Sequence, residues 1–128
     1  MGIERNPSGV FVADDGSSQN NWGGMRAASY SGAPRTITNA SDSPTNQDTY
    51  LIANKAGTIT LTFPAASGAN VGKVYVIKTI QAQTVVSATS NVCPSDSATP
   101  GTAILAATAG KFAKLVSDGT NWIIMDSN

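Results

Sequence analysis

The sequence predicts an all-β protein: a small β-sandwich, jelly-roll-like, or a β-barrel, with an irregular extended N-terminal arm. Short apolar runs recur at spacings of about 8–12 residues with turn formers between them, which is typical of sandwiches and small barrels. Threonine, valine and isoleucine are abundant while charged residues make up only 12% of the chain, so strands whose exposed faces carry hydroxyls are favoured. Residues 1–45 contain no run with the helical period.

The chain has 128 residues, a length that favours one domain, and its character changes near residue 46. Residues 1–45 are dense in glycine, proline, asparagine and aspartate, which mark turns and extended links. We therefore predict an N-terminal arm over residues 1–45, with brief strands at residues 10–12 and 36–38. The β domain itself is predicted over residues 46–128.

The most regular strand of this domain is predicted over residues 58–63. Ile59, Leu61 and Phe63 share one face, and threonines occupy the other. Pro64 ends the strand because it has no N–H donor for the ladder. The run over residues 73–80 is more apolar and is predicted to be a central strand covered on both faces. Further strands are predicted over residues 49–53, 84–87, 102–106 and 111–116.

A hairpin is predicted at the C-terminal end of the domain. Residues 117–121 separate two apolar runs, and Gly119 can adopt the positive φ that such loops need. Trp122 then begins the last strand and is expected to be its largest contribution to the core or to an interface. The predicted core consists of Ile59, Leu61, Phe63, Val74, Val76, Leu115 and Trp122.

The composition argues against several classes of function. Eight cations balance eight anions, so nothing attracts nucleic acid or an anionic membrane electrostatically. No apolar run approaches the roughly 20 residues that span a bilayer, and the first residues lack the apolar segment of a secretory signal. The chain has no histidine and one cysteine, Cys93, which leaves no activated nucleophile and no cysteine-rich metal site. We expect no enzyme activity, no cofactor, no metal and no small-molecule substrate.

Two patterns resemble ligand sites but fit poorly. Residues 68–73, GANVGK, resemble a phosphate-binding loop, but the two glycines are one residue too close and Val74 stands where serine or threonine is required. Asp42, Asn46 and Asp48 do not have the spacing of a calcium-binding loop. We therefore expect them to be chance polar residues of a loop.

Four short stretches carry a resemblance to a known module. They are TYLIA (49–53), GTITLTFPAA (57–66), GKVYVIK (72–78) and LVSDGTNW (115–122). In this order they resemble the small β domain of tailed-bacteriophage virion proteins, which occurs in head decoration (cement) proteins, tail fibres and spikes. The resemblance covers residues 46–128.

The resemblance implies a bacteriophage virion structural protein: a capsid decoration, or cement, subunit that stabilises the head by binding across capsomers. The expected partner is the major capsid protein and the expected assembly is a homotrimer. The subunit is expected on the outer surface of the virion capsid, assembled in the host cytoplasm. The alternative is a receptor- or carbohydrate-binding β domain of a tail fibre or spike, for which Asp118, Asn121 and Trp122 are the candidate sugar contacts.

The N-terminal arm is the predicted contact with the capsid or with a neighbouring subunit. It carries large apolar side chains, which cost about 25 cal/mol per Å² to leave in water, and isolated charges that can pair across an interface. A segment that orders only on docking can wrap a wide surface. The alternative is an arm folded back on its own domain as extra strands. The predicted interface residues are Val10, Phe11, Trp22, Met25, Arg26, Tyr30 and Arg35.

Overall fold

The structure, a computed structural model, describes residues 3–5, 11–13 and 33–128. The chain consists of two compact units, Met1–Ser31 and Gly32–Asn128. In the first unit, strands β1 (Ile3–Arg5) and β2 (Phe11–Ala13) pair antiparallel. The brief strand predicted at residues 10–12 is therefore found, shifted by one residue.

The second unit consists of two β-sheets with one core between them, and this confirms the all-β prediction. The strand order is β3-β5-β7-β11-β12-β9 in the six-stranded sheet and β10-β8-β6-β4 in the four-stranded sheet. The strands are β3 (Arg35–Ile37), β4 (Ser41–Asp42), β5 (Tyr50–Ala53), β6 (Gly57–Leu61), β7 (Val74–Thr79), β8 (Gln83–Ser87), β9 (Val92–Cys93), β10 (Ala103–Leu105), β11 (Phe112–Ser117) and β12 (Trp122–Ser127).

The first six strands of this unit form three successive rungs, β3–β4, β5–β6 and β7–β8. In each rung a short corner, at residues 38–40, 54–56 or 80–82, carries the chain from the six-stranded to the four-stranded sheet. Because every rung runs the same way, β3, β5 and β7 are parallel neighbours, and so are β4, β6 and β8. A jelly roll pairs its strands antiparallel. The mixed sheets here instead begin as a short β-solenoid and end with the antiparallel strands β10, β11 and β12.

The predicted domain boundary at residues 45/46 falls inside this unit. β3 pairs with β5 and β4 pairs with β6, so both early strands belong to the two sheets rather than to an arm. These strands have three and two residues, which is too short for an alternation signal between turn formers. Long-range pairing, rather than local pattern, makes them part of the β unit.

Five of the seven predicted core residues are confirmed as buried, and Val74 and Val76 are not. Both valines are only half-buried, while Tyr75 and Ile77 of the same strand are 0% exposed. The prediction assumed that β7 is covered on both faces. Within the second unit, however, the four-stranded sheet covers one face of the six-stranded sheet. The confirmed core residues are Ile59, Leu61, Phe63, Leu115 and Trp122.

The β11–β12 turn depends on a backbone conformation that favours glycine. Gly119 has φ +99°, and a Cβ added there would meet Val71 at 3.5 Å, so the strain of Gly119→Ala comes from the backbone rather than from a clash. We expect Gly119→Ala to lower the free energy of unfolding by about 1 kcal/mol. Gly101→Ala is the matched control, because Gly101 has open space around it and no positive φ. Urea denaturation of both variants checks the prediction, and equal losses would contradict it.

Candidate functional site

Three of the four stretches that carry the phage resemblance meet in one aromatic cluster. Phe63 comes from the second stretch, Tyr75 from the third and Trp122 from the fourth. Their ring centroids are 5.3 Å (Phe63–Tyr75), 5.5 Å (Phe63–Trp122) and 5.0 Å (Tyr75–Trp122) apart, in tilted arrangements. Such aromatic contacts add stability beyond the area that they bury. The aromatic residues of these three stretches are therefore explained by packing.

Hydrogen bonds fix the same stretches to one another. The indole N–H of Trp122 donates to the carbonyl of Pro64 at 3.2 Å, and the Ser117 hydroxyl donates to the carbonyl of Ala66. The Gly72 N–H donates to the carbonyl of Ser117 at 2.9 Å, and the Ser117 N–H donates to the carbonyl of Lys73 at 3.0 Å. The loop after β6, the start of β7 and the final hairpin are thus one connected structure.

The predicted sugar contacts are not assembled at the surface. Trp122 is 0% exposed and belongs to the aromatic cluster, so no sugar ring can stack on it. The Asp118 carboxylate accepts hydrogen bonds from the backbone N–H groups of Thr120 at 2.8 Å and Asn121 at 2.7 Å. These bonds, that from Asn121 first, lower the pKa of Asp118. Asp118 and Asn121 therefore shape the hairpin turn, and this set of three residues is corrected to a structural role.

Arg35 is clamped between two carboxylates of its own chain. Its Nη1 and Nη2 donate to Asp42 at 2.9 and 2.6 Å, and its Nε and Nη2 donate to Asp48 at 2.8 and 3.1 Å. Each carboxylate accepts two hydrogen bonds from the guanidinium, in the bidentate geometry that arginine favours. We call these three residues the Arg35 clamp. It joins β3 to β4 and to the loop before β5, so the expectation that Asp42 and Asp48 are chance loop residues is wrong.

The loop at residues 45–48 is held from several sides. The Asp48 carboxylate also accepts the N–H of Thr45 at 2.8 Å, and the Tyr75 hydroxyl donates to the carbonyl of Thr45 at 2.9 Å. Lys73 donates to the backbone carbonyl of Asp48. The hydrogen bond from Arg35 lowers the pKa of Asp48, while burial lowers the pKa of Lys73 and raises that of Tyr75 to about 12. These ionisable groups hold the loop between the first two rungs against β3 and against the start of β7.

The remaining sequence patterns have structural explanations. Residues Gly68–Asn70 form one 3-10 turn, and the chain then enters β7 rather than a helix that could hold a phosphate. The Cys93 thiol is buried and lies 3.6 Å from the carbonyl of Ala98. Over residues 33–128 and the two short N-terminal strands, no group of three or more His, Cys, Asp or Glu could hold a metal ion. In that same part of the chain, no helix has the length and hydropathy needed to cross a membrane.

The outward-facing side of the six-stranded sheet carries apolar side chains in neighbouring positions. Val74, Val116 and Ile123 are cross-strand neighbours in one row, and Tyr50, Val76 and Lys114 form the next. We call this surface the outer face; the valines and isoleucines are half-buried, and Tyr50 is 41% exposed. Its residues are Tyr50, Ile52, Val74, Val76, Lys78, Phe112, Lys114, Val116, Ile123 and Asp126.

The other sheet presents a different surface to solvent. The outward positions of β6 and β8 are Thr58, Thr60, Thr84 and Val86. Hydroxyl-bearing strands of this kind suit contact with water, whereas a contiguous apolar surface marks an interaction site. Among the described surfaces, the outer face of the six-stranded sheet is therefore the best candidate for binding another protein.

The predicted interface residues lie mostly outside the described residues. This is the case for Val10, Trp22, Met25, Arg26 and Tyr30, and for Phe11 only the backbone, in β2, is described. Arg35 lies in β3, where its charge is compensated by the clamp rather than free to pair with a partner. A role of these residues in an interface stays a prediction.

Comparisons with known proteins add no family assignment. A scan against protein-family models finds no match, and a search of curated proteins finds none either. The resemblance to phage β domains therefore depends on the four stretches alone.

Proposed function

We propose that the protein is a bacteriophage virion structural protein: a capsid decoration subunit that binds across capsomers on the outer surface of the head. The observation that carries the proposal is the convergence of the four resembling stretches. Three of the stretches lie in strands β5, β7, β11 and β12, and these strands are consecutive neighbours in one sheet. The fourth adds Phe63 to the aromatic cluster. The four stretches thus lie together in one folded unit, and this arrangement supports the proposal.

The proposed mechanism is mechanical. A subunit that binds the assembled shell, but not free capsomers, stabilises the shell by mass action, by RT ln(1 + [L]/Kd) for each site. The proposed partner is the major capsid protein, and the proposed assembly is a homotrimer assembled in the host cytoplasm. A closed aromatic core and the Arg35 clamp suit this role, because a rigid subunit loses little conformational entropy when it docks.

The location of the protein in virions tests the proposal. Heads and tails are separated from purified virions, and each fraction is quantified for this chain and for the major capsid protein. We expect the chain in the head fraction, in copies comparable to the major capsid protein. Recovery with tails alone would contradict decoration and support the alternative, a tail-fibre or spike domain.

A test of the predicted anchoring role of the N-terminal residues requires a deletion that leaves both sheets of the second unit intact. Removing residues 1–45 would delete β3, β4 and Arg35, so the informative variant lacks residues 1–31 and keeps the whole second unit. We expect it to fold but to bind heads at least about tenfold more weakly. Circular dichroism monitors folding, and occupancy on heads stripped of the protein measures binding. Full occupancy by the folded variant would show that the anchor lies elsewhere.

A further inference from the structure

We propose that the outer face of the six-stranded sheet is the surface through which copies of this chain associate with one another. The inference does not depend on the proposed function, because it concerns a two-fold contact between copies, whereas the threefold contact of the proposed homotrimer joins two different surfaces. Its test needs no phage heads, so the two proposals can fail separately.

The contrast between the two outward-facing surfaces is the first argument. β6 alternates buried Ile59 and Leu61 with outward threonines, as a strand facing water does, and the outward positions of β8 are Thr84 and Val86. β7 and β11 place Val74, Val76 and Val116 at the corresponding outward positions. Threonine has nearly the shape of valine and an equal preference for strands, so strand formation does not require valine there. Valine at these positions is instead expected where another surface buries the face.

The continuity of the apolar surface is the second argument. Val116 of β11 lies opposite both Val74 of β7 and Ile123 of β12. Val76 lies between Tyr50 and Lys114 in the next row. Side chains directly opposite each other on one face are about 4.5–5.5 Å apart, so these residues form one patch rather than scattered contacts. A patch of this kind on a freely diffusing protein promotes association until something covers it.

The charges on the face favour a second copy as the occupant. Lys78 and Lys114 bring positive charge, and Asp126, which lies opposite Lys114 in register, brings negative charge. A surface that carries charges of both signs can be matched by the same surface on another copy, which makes a two-fold contact. The net charge of the chain is zero, so long-range repulsion does not oppose the approach of copies.

Sedimentation velocity of the full chain over a range of concentrations tests the inference. We expect the wild type to form an oligomer that dissociates on dilution. In the double variant Val74→Thr/Val116→Thr, two facing apolar residues become polar without loss of strand preference, and we expect the dissociation constant to rise at least about tenfold. Val86→Thr is the matched control, because it makes the same substitution at a half-buried outward position of the other sheet. We expect the control to associate like the wild type.

Thermal unfolding of each variant monitors folding, and Val76→Lys provides a second disruption in the middle of the patch if the double variant is unstable. A wild type that stays monomeric would overturn the inference, and so would equal weakening by Val86→Thr. If the monomeric wild type decorates heads and the Val74/Val116 variant does not, the face docks on the shell and only self-association is refuted. An oligomer that the outer-face variants disrupt, but that never binds heads, supports the inference and refutes decoration.

Discussion

Replacing Trp122 by alanine is expected to lower the free energy of unfolding of the second unit by about 3–5 kcal/mol, the largest loss that we predict for a single substitution. Trp122 is completely buried, and its ring contacts both Phe63 and Tyr75. The substitution removes these contacts, leaves a large cavity and takes away the donor for the Pro64 carbonyl. Urea denaturation, followed by circular dichroism, measures the loss.

Two further variants separate the parts of this effect. Trp122→Phe keeps an aromatic ring but loses the hydrogen bond and some volume, so we expect an intermediate loss. Thr58→Ala, at an exposed outward position of β6, is expected to stay within about 1 kcal/mol of the wild type. If Trp122→Ala were as mild as Thr58→Ala, the aromatic cluster would not be the centre of the core.

Replacing Arg35 by alanine is expected to cost about 2–3 kcal/mol at neutral pH. The cost lies between that of an exposed ion pair and that of a buried one, because the Arg35 side chain is 37% exposed while those of Asp42 and Asp48 are 18% and 11% exposed. Without the guanidinium, two nearby carboxylates lose four charge-assisted hydrogen bonds. Arg35→Lys keeps the charge but not the bidentate geometry, so its loss should be smaller.

The same clamp predicts a dependence of stability on pH. The hydrogen bond from Arg35 holds the pKa of Asp48 below its usual value in the folded chain, whereas an unfolded aspartate titrates near about 3.9. The stabilisation is therefore complete above the unfolded pKa and is lost as the pH falls through the lower, folded pKa. We expect the free energy of unfolding to decrease as the pH falls below about 4, and to decrease less in Arg35→Ala. If the free energy of unfolding had the same pH dependence in the wild type and in Arg35→Ala, the stabilisation of ionised Asp48 by Arg35 would be contradicted.

The rungs show why part of the fold escaped prediction. Ile37, Ala53 and Thr79 are register partners at the ends of β3, β5 and β7, and each is followed by a three-residue corner that ends in alanine: Thr38-Asn39-Ala40, Asn54-Lys55-Ala56 and Ile80-Gln81-Ala82. In the second and third corners, the Gln81 side chain donates to that of Asn54. The rungs begin at residues 35, 50 and 74, so their spacing is unequal. A comparison of the corners could have found the repeat, whereas a search for one fixed period could not.

Local sequence patterns account for the β class, the alternation of β6, the glycine turn before β12 and the burial of Phe63, Leu115 and Trp122. These features depend on local stereochemistry and on the size of apolar side chains, which each short segment carries within it. Contacts between distant segments are the reason that β3 and β4 join the sheets, that Val76 faces outward and that Arg35 binds Asp42 and Asp48. Alternation separates the two faces of a strand but does not say which face another sheet covers, and pairing between distant short segments leaves no local pattern.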